Sequence, residues 1–169
     1  MASYSSYTNY FRFLAQVHAD ILHTTDNNSF YTVDITELLS GLRSSIRKDG
    51  YIMLFMNYSK DYLTESRAET KITFFILHKE TNGGFEENNG FRDEAELIAN
   101  DIIARVVEDS RSHTEAMNKL WYGSMDDPAG TSVIQTEIRA GAETWIGVQV
   151  SFDTKSKSTP CVRNGKFLG

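Results

Sequence analysis

The last third of the chain sets the tightest limit on its fold. A stretch with helical periodicity, FRDEAELIANDIIARVVED (Phe91–Asp109), is followed by two that alternate with period two, SVIQTEIRA (Ser132–Ala140) and ETWIGVQVSF (Glu143–Phe152). Ala95, Ile98, Ala99, Ile102 and Val106 recur at three- and four-residue spacing, which aligns them as one apolar stripe on a helix. Ile146, Val148, Val150 and Phe152 give the final strand one inward face, with Trp145 on the opposite face and expected to be exposed. In the strand before it, Ile134, Ile138 and Ala140 form the apolar side, and Gln135, Glu137 and Arg139 the polar one. The turn AGAE between the two is too short for anything but antiparallel pairing.

The first half repeats this order. Tyr7, Phe11, Leu14, Val17 and Ile21 mark an amphipathic helix over about Tyr7–Leu22, ended by the turn-rich HTTDNNS. Phe30–Val33 reads as a short strand. Asp34 with Glu37 has the spacing of a capping box for a second helix, Thr36–Ile46, in which Gly41 is a weak point. DGYIMLFMNYS (Asp49–Ser59) is apolar on both alternating faces, so it belongs in a sheet covered on both sides or at an interface. The polar SKDYLTESRAE (Ser59–Glu69) reads as a long hairpin tip or arm, and ETKITFFILHKE returns as the partner strand, with Ile72, Phe74 and Ile76 on one face. TNGGFEENNG (Thr81–Gly90) reads as a flexible loop, with Asn89 as cap of the long helix. His113–Trp121 has the pattern of one or two more helical turns, and Ser124–Thr131 that of a loop.

These elements define an α+β fold, a single domain over residues 1–153 in which a long helix and an N-terminal helix pack on a mostly antiparallel sheet. Residues 154–169 read as a polar C-terminal tail. A chain of 169 residues needs no disulfide to hold such a core. Its one thiol, Cys161, forms no internal bridge, has no activating surroundings and fits a reducing compartment. The net charge of −6, with no Lys/Arg stripe, argues against specific nucleic-acid binding. The N-terminus lacks the pattern of a signal peptide, and no apolar run reaches the length of a membrane span.

Catalytic vocabulary is missing. His18 and His23 are five apart rather than four, so a helix does not place them on one face as zinc ligands, and His78 and His113 read as structural or surface residues. Asp93 and Glu94 near a helix start are explained by the helix dipole, whereas Glu108 and Asp109 at its end run against it and ask for a partner. MDDPAG lacks the ligand series of a calcium loop, and neither a phosphate-binding glycine loop nor a GxSxG elbow occurs. No catalytic residue, cofactor or metal ligand is therefore assigned, and the expectation is a protein that is not an enzyme. The aromatic group Tyr4, Tyr7, Tyr10, Phe11 and Phe13 around the first helix fits a core with half-exposed tyrosines or an oligomer interface.

Through FYTVDITELLSGLRSSI, the double-sided strand, SKDYLTESRAETKITFFILHK, FRDEAELIANDIIARVVED and GAETWIGVQVSFD, the chain resembles small structural proteins of Bacteroidetes phage and prophage tail modules. In segment order it is similar to tail terminator and tail-completion proteins of siphophage- and myophage-like particles. The polar C-terminal tail departs from that pattern. The resemblance implies a tail-terminator-like virion protein of the tail or neck, made in the host cytoplasm. It would assemble as a ring, a hexamer or larger, at the head–tail junction. Its partners would be copies of itself and other tail, neck or portal-proximal proteins, with DNA passing nearby and no membrane. A ring needs one patch that fits a different patch on the next copy. The expected interface residues are Lys60, Asp61, Tyr62, Glu65 and Arg67 on the arm, together with Trp145. The alternative is a monomeric or dimeric adaptor that binds another protein without catalysis. An enzyme of unrecognised type would need a deep pocket gathering His78 or His113 with two carboxylates.

Overall fold

Six strands form one sheet: β1 (Phe30–Val33), β2 (Ile52–Met56), β3 (Ser59–Thr64), β4 (Arg67–Lys79), β5 (Ile134–Ala140) and β6 (Trp145–Lys157). Two long helices among the described residues, α1 (Tyr4–Val17) and α2 (Phe85–Ser110), accompany it. The structure, a computed structural model, describes residues 4–34, 36–37, 45–56, 59–64, 67–111, 134–140 and 144–157. The strand order is β1-β2-β4-β6-β5, with β3 also paired to β4. All pairings are antiparallel except β1 with β2, so the fold is α+β with a mostly antiparallel sheet, a single domain.

Alternation sorts the central strands onto two faces. Met53, Phe55, Ile72, Phe74, Ile76, Val148, Val150 and Phe152 join Tyr7, Phe11 and Leu14 of α1 and Ala95, Ile98, Ala99, Ile102 and Val106 of α2 in one core. Phe11 stacks on Phe55 with ring centroids 4.9 Å apart, and three of the N-terminal aromatics, Tyr7, Tyr10 and Phe11, are core residues. The opposite face carries a second core of Tyr31, Val33, Ile46, Ile52, Leu54, Phe75, Leu77 and Trp145. Parallel strands need a connection that crosses the sheet. The chain between β1 and β2 makes that crossing, and its Ile46 is buried against this face. Arg47 donates its backbone N–H to the Tyr31 hydroxyl at 2.9 Å, which pins the crossing to β1.

This second core corrects the reading of Trp145. Its side chain is 2% exposed, because the face opposite the helices is covered rather than open. The strand beside it behaves in the reverse sense: Ile134 is 58% exposed on that same face, while Gln135 and Glu137 turn toward the helix side.

Three other boundaries differ from the periodicity. α1 stops at Val17, which is exposed, because Leu22 adopts a left-handed conformation (φ 45°) and closes the turn on the His18 carbonyl. Ile21 is still buried, outside the helix. Asp34 does cap the helix that follows it, accepting the Glu37 N–H at 2.8 Å, but Ser45 and Ile46 already lie in a turn. The rest of the stretch expected as that helix, 38–44, lies outside the described residues, as do His113–Trp121 and Ser124–Thr131.

α2 begins at Phe85, six residues before the expected start at Phe91. Asn88 explains why. Its amide accepts the Thr81 N–H at 3.1 Å and donates to the Thr81 carbonyl at 3.2 Å, so the loop closes onto the first turn. Glu86 and Glu87 in that turn favour the helix dipole. Asn89 is inside the helix and binds Arg92 instead of capping.

At the other end of α2, Asp109 finds the partner its position asks for. It is buried, accepts the Tyr10 hydroxyl at 2.9 Å and lies 3.0 Å from Arg105. His18, eight residues further along the N-terminal segment, is 3.6 Å from Asp101, eight residues earlier in α2. The two segments therefore run antiparallel, latched at Tyr10–Asp109.

Burial, then the bond to Asp109, pushes the Tyr10 hydroxyl well above its ordinary range, and burial with Glu94 does the same to Tyr51. A group raised in the folded state contributes fully below its unfolded pKa and loses that contribution above it. Stability should therefore fall above about pH 10, where unfolded tyrosine ionises. Urea titrations should show Tyr10→Phe costing about 2 kcal/mol at neutral pH, since it removes a bond to a buried carboxylate, and a shallower decline above that pH. Gly147 has φ 151°, and a Cβ there would lie 2.1 Å from the Ile76 carbonyl oxygen. Gly147→Ala should cost roughly 3 kcal/mol by the same titration, because β4 and β6 must separate to admit the methyl group.

Candidate interaction surface

β4 and β6 are each 13 residues long, and their neighbours are shorter. β2 flanks β4 along Phe74–Leu77, and β5 flanks β6 along Trp145–Ser151. Beyond those limits Arg67–Lys71 of β4 pairs with Asp153–Lys157 of β6 on one side and with β3 on the other. The result is a three-stranded ribbon, five residues or roughly 17 Å long, continuing the sheet without β2 or β5 beside it. The segment expected as a polar hairpin arm is thus β3 and the start of β4. Asp153–Lys157, expected as the start of a polar tail, is the third strand of the same ribbon.

The ribbon brings four of the six expected interface residues together. Lys60, Asp61 and Tyr62 lie on β3 opposite Thr70, Glu69 and Ala68, and Arg67 lies on β4 opposite Lys157. Glu65 is outside the described residues. Trp145 starts β6, twelve residues from Lys157, so it is roughly 40 Å from the ribbon end and buried. It belongs to the core and not to this surface.

The register also recruits residues that periodicity passes over. Successive rows across the ribbon read Ser59–Lys71–Asp153, Lys60–Thr70–Thr154, Asp61–Glu69–Lys155 and Tyr62–Ala68–Ser156, followed by Arg67–Lys157. Lys71 and Asp153, opposite each other, are a favourable cross-strand pair. A break in register between Tyr62 and Thr64 ends the regular pairing of β3. Because residues 153–157 alternate only between polar types, hydrophobic period could not reveal them as a strand; the alternation of Lys155 and Lys157 with Thr154 and Ser156 is the one signal available.

The histidines are held structurally. His78 donates Nδ1–H to the Lys79 carbonyl at 2.7 Å, stacks on Phe91 at 3.9 Å and meets Tyr51 at 5.0 Å. Tyr51 in turn donates to Glu94 at 2.8 Å. His78 borders an open cleft of about 360 Å³ together with Lys48, Asp49, Lys79 and Glu80, on the surface rather than at depth. His23 accepts the Ser29 N–H, and burial and then Arg12 lower its pKa. A second cleft, about 330 Å³, separates α2 from β5, where Arg92 bridges Asn89 at 2.9 Å and Glu137 at 2.8 Å. Among the described residues no group of three or more His, Cys, Asp or Glu is arranged to hold a metal, and no helix is long and apolar enough to cross a membrane. His113 and Cys161 lie outside the described residues.

The class the geometry defines is an α+β domain with two cores and a strand ribbon. No protein-family model and no curated protein matches the sequence.

Trp145→Ala should act on stability. Removing a fully buried indole should cost about 3–5 kcal/mol in urea titration.

Proposed function

We propose that the chain is a structural subunit of a phage or phage-like tail, a terminator, neck or connector component that closes into a ring of six or more copies at the head–tail junction. It works by surface fit and makes or breaks no bond. Its partners are copies of itself and adjoining tail, neck or portal-proximal proteins, and its place is the virion, after synthesis in the host cytoplasm. The observation that carries this reading is the ribbon. A cyclic ring needs a heterologous contact, and the ribbon offers two different edges on one rigid body, the outer side of β3 and the outer side of Asp153–Lys157.

Sedimentation velocity and negative-stain imaging of the full chain test the reading. Rings are expected; a strict monomer at high concentration, alone and with tail tubes, would overturn it in favour of the adaptor. Replacing Tyr62–Ala68 by a two-residue Asn-Gly turn should leave the thermal midpoint within a few degrees, since the apolar core begins at Ile72, and should abolish the rings. Normal rings from that variant would retire the ribbon from assembly.

A further inference from the structure

Asparagine followed by glycine occurs three times, at Asn82–Gly83, Asn89–Gly90 and Asn164–Gly165, the last outside the described residues. In such a pair the glycine has no side chain to keep its backbone nitrogen from the asparagine's side-chain amide carbon. The fold treats the first two pairs differently. Asn89 and Gly90 lie in the second turn of α2, where each backbone N–H is bonded to the carbonyl four residues before it. Asn89 is half-buried, and its amide oxygen accepts Arg92 at 2.9 Å. Asn82 and Gly83 stand exposed in the turn before the helix. The Gly83 N–H donates to the Thr81 hydroxyl at 3.3 Å, beyond the usual range of such a bond. Gly84 continues the turn in the left-handed region, at φ 92°. Ring closure needs the asparagine backbone to rotate out of the helical range. A turn residue does so at little cost, and a helical one only by opening the helix.

We infer that Asn82 is a self-modification site, at which the Gly83 backbone nitrogen displaces ammonia from the Asn82 side chain and water then opens the ring to aspartate or isoaspartate. The Gly83 nitrogen loses its proton to solvent and bonds to Asn82 Cγ. The Cγ–Nδ2 bond breaks, and Nδ2 takes up a proton and leaves as ammonia. Water then adds to either carbonyl of the succinimide. The sum is amide and water to acid and ammonia, with no change of oxidation state and no co-reactant but water. The chain acts here on itself and on no substrate. The product adds one negative charge to the net −6. It places that charge on an open cleft of about 560 Å³ that Asn82 shares with Glu80, Phe85 and Arg92 at the start of α2. Isoaspartate also lengthens the main chain by one carbon between Thr81 and Gly83. That insertion adjoins the Thr81–Asn88 bonds that close the loop onto the helix. The converted fraction grows with the age of the protein.

Tandem mass spectrometry of the full chain, incubated at neutral pH both folded and in urea, tests this. The incubation runs until the urea-unfolded chain is half converted at both asparagines. In the folded protein Asn82 should convert at least roughly tenfold faster than Asn89, because reaction at Asn89 waits on a local opening of α2. In urea the two should convert at similar rates. Both aspartate and isoaspartate should be found at position 82. Asn82→Gln keeps an exposed amide but would need a larger ring, so it should abolish conversion at that position while thermal melts show the fold unchanged. Equal rates at Asn82 and Asn89 in the folded protein would overturn the inference. So would an Asn82 that stays intact in the folded protein over the time in which the unfolded chain converts.

Discussion

The antiparallel pairing of β4 with β6 is the interaction on which the rest of the molecule depends. It runs unbroken from Arg67–Lys157 to Lys79–Trp145, and every other strand is attached to it directly or through one neighbour. At one end apolar residues pack on both of its faces, those of the helices on one and Tyr31, Val33 and Ile46 on the other. In its middle Thr73 and Ser151 share a hydrogen bond of 2.9 Å, which lets two polar residues lie buried within the sheet. Gly147 admits the Ile76 carbonyl where any side chain would block it. At the other end the same two strands, still in register, become the core of the ribbon. The ribbon and the hydrophobic centre of the subunit are thus joined by the same two strands.

The latch between the helices is a second such join. A carboxylate at a helix C-terminus is unfavourable by itself, and a buried one is costly unless bonded. Asp109 meets both conditions and is retained because Tyr10 and Arg105 satisfy it. The bond joins residues 99 apart in sequence and ties the N-terminal helix to the end of α2.

What can be read from the sequence follows from where hydrophobic period operates. The stripe from Ala95 to Val106, the inward face from Ile146 to Phe152 and the two-sided strand at Ile52–Met56 are all apolar patterns, and each is found where the pattern puts it. The misreadings lie where polar contacts decide. Nothing in TNGGFEENNG distinguishes an Asn that breaks a helix from Asn88, which closes one, because the difference is its bidentate bond to Thr81. Trp145 alternates away from the apolar face of β6, and only the parallel pairing of β1 with β2 reveals that this other face is covered as well. The ribbon is half legible. Mixed charge marks Lys60, Asp61 and Arg67 as an arm, but the partner strand Asp153–Lys157 has no apolar residue by which to announce itself.

Charge is concentrated on the long helix. α2 holds eight of the 23 acids and two of the 17 bases, a net −6 that equals the charge of the whole chain, so the remainder is balanced. Two copies that approach through their helical faces repel each other over the length of α2. In the proposed ring, contact would therefore fall away from the acidic helix, and a strand edge, with its row of backbone donors and acceptors, would supply the attraction without hydrophobic area.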